Sequence, residues 1–371
     1  MNSQKFVFPI ISIIIGSFLS IIFLEVVLKF FPVRDATMML PVNSKNKIIR
    51  FKGDRNIIWS HGSKFSIITK KRINNYGFLN DQDYNSDETS PLLAIIGDSY
   101  VEAAQVENRY SMHGILSRNV SDRGRVYSFG SSGSQLPTYL AYANYVLDEF
   151  NVSKHSFVFI IVGNDFDESL IEYKKSPGFH YFSNEFNRFN LIRIDYQPKL
   201  SKLLLRKSDL IRYLFLNVQL KNWKSIQNIF NTDVNKTKLN YVGNTLSDFD
   251  SKRIESSKKV VDVFFQHLSK KKGLGNDNVL FVLDGMRPHL YDSISLERAK
   301  GSYFSFMRNY FINSALSGKY EIIDMQPIFI KTHKLNNATF EFPSDGHWNN
   351  KGHSLVADEI IESSVYKKLF Y

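Results

Sequence analysis

The stretch Leu92-Leu93-Ala94-Ile95-Ile96-Gly97-Asp98-Ser99 limits what this chain can fold into more than any other. Five consecutive apolar residues without polar alternation suit a strand buried on both faces, and such strands belong to parallel sheets covered by helices. The run stops at Gly-Asp-Ser, ordinary turn chemistry that places a serine at the carboxyl edge of a sheet. A helix starting there presents unpaired backbone N–H groups beside the hydroxyl. An exposed Oγ next to such donors is what a serine nucleophile requires.

The pattern repeats. Arg125-Val126-Tyr127-Ser128-Phe129 reads as a second strand and ends in Gly130-Ser131-Ser132-Gly133-Ser134, where two glycines let a loop come close to a neighbouring group. Ser156-Phe157-Val158-Phe159-Ile160-Ile161-Val162 is a third, ended by Gly163-Asn164-Asp165. Residues 278–284 and 321–324 supply a fourth and a fifth. Apolar spacing predicts helices over 135–150, 254–272, 295–316 and 351–369, and an interrupted one over 100–120. This alternation predicts a three-layer α/β/α domain around a five-stranded, mostly parallel sheet.

Near the amino terminus, residues 6–24 carry no charge and are dominated by Ile, Phe and Leu. That length crosses the hydrocarbon core as a helix. No small-residue cleavage pattern follows, so an uncleaved transmembrane helix over about residues 6–28 is expected within an anchor of residues 1–34. Lys5 on one side and Lys29 and Arg34 on the other leave the orientation open. Residues 35–90 read as a β-rich lead-in, with Phe65-Ser66-Ile67-Ile68-Thr69 as a short strand, and residues 91–371 as the main domain.

The absence of cysteine excludes a disulfide scaffold, a thiolate nucleophile and a Cys-based zinc site. The nine histidines show no metal-ligand spacing, and neither a metal nor a cofactor is expected. The net charge of +11 is concentrated: residues 171–275 hold 20 Lys and Arg against 9 Asp and Glu, and the remainder is neutral. Within this insertion, Leu200, Leu203, Leu204, Leu205, Leu210, Ile211 and Leu214 interleave with Lys202, Arg206, Lys207 and Arg212, a basic amphipathic helical pattern with a break near Ser208. It reads either as a solvated helix face or as a lid or rim that attracts an anionic glycan or lies on acidic lipid headgroups. No nucleic-acid-binding motif accompanies it, and no nucleic-acid partner is expected.

Four segments in order resemble the blocks of the SGNH (GDSL-like) hydrolase superfamily. Gly97-Asp98-Ser99 matches the nucleophile block, Ser128-Phe129-Gly130-Ser131-Ser132-Gly133 resembles the glycine block, Gly163-Asn164-Asp165 the asparagine block, and Asp345-Gly346-His347-Trp348-Asn349 the acid–histidine block. The resemblance covers roughly residues 92–165 and 278–365 and omits the basic insertion. It implies that Ser99 is the nucleophile, His347 its base and Asp345 the group that holds the imidazole. The oxyanion donors would be the Ser99 and Gly133 backbone N–H groups and the Asn164 side-chain amide. Asn164 and Asp345 also suit helix capping, and Asp98 and Asp165 read as residues that shape their turns.

Two departures stand out. Ser128 occupies the place where the glycine block usually opens with Asn, and Asp345 and His347 are two residues apart rather than the usual three. The closer spacing is similar to the branch that adds or removes acetyl groups on bacterial polysaccharides. That resemblance implies an acylated glycan or acyl donor as partner, and a catalytic domain on the extracytoplasmic face of a bacterial inner membrane. A lipid or thioester hydrolase, and a glycan-binding assembly protein without turnover, are the alternatives.

Overall fold

The computed structural model describes residues 4–185, 188–200, 206–220 and 241–371. The helix α1 spans Gln4–Leu28, and β1 (Arg55–His61) and β2 (Ile67–Ile73) form a hairpin. Then follow β3 (Leu92–Gly97), α2 (Ser99–Glu102), α3 (Met112–Val120), β4 (Arg125–Gly130), α4 (Leu136–Glu149) and β5 (His155–Ile161). The hairpin β6 (His180–Glu185) and β7 (Arg188–Arg193), α5 (Asp209–Arg212) and the short hairpin β8 (Tyr241–Val242) and β9 (Thr245–Leu246) fall in the basic insertion. The chain continues through α6 (Ser251–Lys270), β10 (Val279–Leu283), α7 (Ser293–Ala299), α8 (Tyr303–Ser317), β11 (Glu321–Asp324) and α9 (Met325–Asn336). It closes with β12 (Glu341–Phe342), β13 (Asp345–Trp348), α10 (Asn350–Glu362) and α11 (Ser364–Phe370).

The chain divides into two compact units, each assembled from segments that lie apart in the sequence. One comprises Met1–Met38, Asn56–Lys70 and Pro198–Asn235; the other Met39–Arg55, Lys71–Gln197 and Lys236–Tyr371.

The larger unit is the three-layer α/β/α domain. Its five strands run parallel throughout, in the order β11-β10-β5-β3-β4. Because side chains alternate across a strand, each apolar run feeds two cores. Leu92, Ala94 and Ile96 of β3 join Phe157 and Phe159 of β5 in one core with Tyr139 of α4, Phe264 of α6 and Phe311 of α8. Leu93 and Ile95 join Val158 and Ile160 in the other, with Met112 of α3, Phe329 of α9, Val356 of α10 and Tyr366 of α11. These strand side chains are fully buried, the larger Leu, Ile, Val and Phe each stabilising the fold by roughly 1.5–3 kcal/mol. The chain leaves β3 for β4 on one side and later places β5 on the other, so the carboxyl ends of β3, β4 and β5 converge on one crevice.

Two expected helices are each broken. The stretch 295–316 is α7 and α8, separated at Gly301 and Ser302, where the Ser302 Oγ accepts from the Ser305 N–H and starts α8 afresh. The stretch 351–369 is α10 and α11, because Ser363 is extended and its Oγ caps α11 by accepting from the Tyr366 N–H. The helix α9 and the hairpins β6–β7 and β8–β9 were not anticipated.

In the smaller unit, α1 carries a 21-residue stretch, Phe8–Leu28, long and apolar enough to cross a membrane. Most of its apolar side chains are exposed. Near its end the Glu25 carboxylate accepts from the Ser208 Oγ (2.7 Å) and from the Asp209 and Leu210 N–H groups (both 2.9 Å), capping α5. Arg212 of α5 pairs with Asp35, and the Asn217 amide donates to the Ser60 Oγ at 2.9 Å. The described part of the expected basic helix is thus tied to the foot of α1. Lys202 and the leucines at 203–205 lie outside the described residues.

Candidate active site

Gly97 must be small: a Cβ there would lie 2.5 Å from the Val101 side chain and 3.3 Å from Ile160. The strand therefore turns sharply, and Asp98 caps α2 by accepting from the Tyr100 N–H at 2.9 Å. Ser99 heads this one-turn helix. Lys71, buried in the lead-in, donates to the Ala103 and Val106 carbonyls (3.1 and 3.0 Å) where α2 ends in a left-handed residue.

His347 comes from 248 residues further along and lies on β13. The Ser99 Oγ donates to its Nε2 at 2.7 Å, and its Nδ1–H donates to Asp345 Oδ1 in a very short contact. With Nδ1 committed to the carboxylate, Nε2 is the lone pair left to take the serine proton. Asp345 also accepts from the His347 backbone N–H at 2.9 Å, a tight loop that the two-residue spacing allows.

The acid–histidine block is held from beneath. Trp348 is fully buried and donates its Nε1–H to Asp284 Oδ1 at 3.0 Å. Arg287, equally buried, pairs with Asp284 and reaches the Gly346 carbonyl (3.1 Å), the Tyr100 hydroxyl (3.1 Å) and Glu341 (3.3 Å). Asn349 caps α10 through the Lys351 and Gly352 N–H groups, both at 3.0 Å. His353 is a core residue: its Nδ1 accepts from the Met112 N–H at 3.3 Å, and burial lowers its pKa to about 3, keeping it neutral.

The glycine block closes with Gly133 at φ +87°, a conformation that favours glycine. Its loop is tied to α2 by Glu102, which accepts from the Ser132 N–H. Ser128, where the resemblance expects Asn, accepts from the Asn80 side-chain amide at 3.0 Å, and the Tyr84 hydroxyl donates to the Ser128 carbonyl at 2.8 Å. An asparagine is present after all, supplied by the lead-in. Asn164 donates one amide N–H to Glu168 at 3.2 Å. Lys174 pairs with that same carboxylate oxygen and donates to the Gly133 carbonyl at 3.1 Å.

Asp98 is more than a turn residue. Its Oδ2 lies 3.2 Å from the Ser99 Oγ, and burial raises its pKa to about 6 against the pull of the Tyr100 N–H, His347 and Lys174. Asp165 is buried too, its pKa raised by desolvation and by the neighbouring Asp98 charge, and it accepts from the Tyr139 hydroxyl at 2.8 Å.

The nucleophile, glycine and asparagine blocks end adjacent parallel strands of the sheet just described, and the fourth block meets the first through the Ser99–His347 hydrogen bond. The three-layer domain thus brings together the segments on which the SGNH resemblance rests. No protein-family model matches the chain, and no curated protein matches it. Among solved structures it is similar to a member of the lipolytic protein G-D-S-L family from Veillonella parvula DSM 2008, at 10% identity and TM-score 0.38, covering 74% of this chain and 98% of that one. It is similar to an acetyl xylan esterase at 12% identity and TM-score 0.38, covering 72% and 97%. A two-domain esterase active on acetylated mannans aligns at 11% identity and TM-score 0.38, covering 76% and 50%. Among the described residues, no group of three or more His, Asp or Glu side chains could hold a metal ion.

Sequence reasoning missed Glu168, Lys174, Arg287, Tyr100 and Asn244, which support the site rather than occupy the four blocks. Tyr100, three residues beyond the end of β3, and Arg287, four beyond the end of β10, stood near strand ends that the sequence signalled.

Proposed function

We propose that the protein is a membrane-anchored serine esterase or O-acyl transferase that acts on an acylated glycan, with acetyl as the acyl group. The observation that carries this reading is the 2.7 Å contact from the Ser99 Oγ to an imidazole whose other nitrogen is held by Asp345. Ser99 attacks the ester carbonyl: an Oγ–carbon bond forms, and the hydroxyl proton passes to His347 Nε2. Charge develops on the carbonyl oxygen and is met by the Ser99 and Gly133 N–H groups and the second amide N–H of Asn164. One such donor contributes about 3–4 kcal/mol to transition-state stabilisation. Collapse breaks the bond to the leaving alcohol, which takes the proton from His347. Water or a sugar hydroxyl then attacks the acyl carbon while His347 takes its proton, the bond from that carbon to the Ser99 Oγ breaks, and the proton passes to Ser99; water makes the reaction hydrolysis, and a sugar makes it transfer.

A short acyl group is favoured by the β8–β9 hairpin. Its Gly243 carbonyl packs so closely on Gly163 that a Cβ there would lie 1.8 Å from the oxygen, and Asn244 donates to the Tyr100 hydroxyl at 2.7 Å. The hairpin tip thus stands between the asparagine and acid–histidine blocks, where a long chain would need room. Membrane placement rests on α1, with Lys29, Arg34, Arg206 and Lys207 at its foot suited to acidic headgroups. The extracytoplasmic face of a bacterial inner membrane fits a glycan substrate.

Chromogenic esters of increasing chain length test the reading. Acetyl esters should turn over at least about tenfold faster than octanoyl esters, and Ser99→Ala should remove about 1,000-fold or more of that rate. A strong preference for long chains would contradict the acetyl reading, and turnover that survives Ser99→Ala would contradict the serine mechanism.

A further inference from the structure

We infer that Glu168 and Lys174 form a positioning clamp that sets the geometry of the oxyanion donors; this rests on the catalytic reading of Ser99. The two proposed donors contributed by loops, Gly133 and Asn164, come from different strand ends, and no hydrogen bond between those two residues is found in the structure. What joins them is one ion pair. The Glu168 carboxylate accepts from the Asn164 amide at 3.2 Å and pairs with Lys174, whose ammonium also donates to the Gly133 carbonyl at 3.1 Å. The chain of contacts therefore runs Asn164, Glu168, Lys174, Gly133.

Each link acts on a rotation that matters for catalysis. A primary amide has two N–H groups, so anchoring one on Glu168 fixes the direction of the other. Holding the Gly133 carbonyl fixes the peptide on its far side, in a residue whose positive φ gives glycine unusual freedom. Donors preorganised in this way need no reorganisation as the oxyanion forms, which is the source of their value. The pair is only partly exposed, 22% for Lys174 and 33% for Glu168, so solvent screens it less than a surface pair. Lys174 fits tightly: a Cβ on Gly133 would lie 3.3 Å from its Nζ. The clamp also gives one cation of the basic insertion a defined task at the site, in place of diffuse attraction.

The test compares wild type, Glu168→Gln, Lys174→Met, Lys174→Arg, Asn164→Ala and the Asn164→Ala/Glu168→Gln double variant of the full chain in detergent. Three readouts are used: kcat and KM for a chromogenic acetyl ester, inhibition by an alkyl boronate that becomes a tetrahedral anion on Ser99, and thermal melting. Glu168→Gln and Lys174→Met should lower kcat by about 10- to 100-fold with KM within about threefold, and weaken boronate binding by the same factor. Lys174→Arg should restore most of the loss, and the double variant should lose less than the product of the two single losses. Lys175→Met, removing a neighbouring exposed charge, should change none of the three readouts.

Wild-type kcat in a folded Lys174→Met protein, or losses in Asn164→Ala and Glu168→Gln that multiply, would overturn the clamp. Turnover and boronate binding that both survive Ser99→Ala would overturn the catalytic reading and the clamp with it. Turnover lost in Ser99→Ala but untouched in the clamp variants would overturn the clamp alone.

Discussion

At the scale of single residues, Asp98 shows how a cap can carry a cost. It is 1% exposed, and burial lifts its pKa from the ordinary 3.8 to about 6. The native state therefore holds this proton more tightly than the unfolded chain does. Its contribution favours folding below pH 3.8 and is lost as pH rises through 6, a swing of about 3 kcal/mol. Asparagine keeps the acceptor for the Tyr100 N–H without titrating. Asp98→Asn should therefore gain stability relative to wild type as pH rises from 4 to 8, by up to about 3 kcal/mol in denaturant unfolding. A difference independent of pH would contradict the burial of an ionising carboxyl. Ser99, Asp345 and His347 were legible in the sequence because their blocks are contiguous and their order is fixed. Glu168, Lys174 and Asn80 were not, since their partners lie across strand ends and only folding brings them together.

At the scale of elements, runs that are apolar throughout announced β3, β5 and β10 to within a residue or two at either end. Helix length was harder to read. In α7–α8 and α10–α11 the apolar spacing continues across the break, and the serine hydroxyl that restarts the helix leaves no trace in hydrophobic periodicity. The β12–β13 hairpin that carries His347 is too short for any periodicity to show. Its position depends instead on the buried Arg287–Asp284 pair, both side chains at most 3% exposed. Arg287→Met leaves the buried Asp284 carboxyl without that partner, at a cost of about 3–5 kcal/mol in unfolding experiments. Adding Asp284→Asn, which still accepts from the Trp348 indole, should recover a large part of that cost. A double variant no more stable than Arg287→Met would contradict this assignment.

At the scale of the whole molecule, each compact unit gathers segments that are distant in the sequence, because pairing between such segments decides its extent. The hairpin residues Asn56–Lys70 group with α1 and with part of the basic insertion, through contacts such as Asn217 to Ser60 and Glu25 to Ser208. Other lead-in residues, Lys71, Asn80 and Tyr84, instead support the larger unit at α2 and Ser128. Net charge distinguished the insertion but not its role, since Lys174 and Arg212 engage specific carboxylates. The central claim is a covalent one: the Ser99 oxygen carries the acyl group between donor and acceptor. Intact-mass and peptide mass spectrometry of the full chain, quenched in acid during turnover of an activated acetyl ester, tests it most directly. The account predicts one added acetyl group on the peptide containing Ser99 and none in Ser99→Ala. Turnover without that adduct, unaffected by Ser99→Ala, would contradict it.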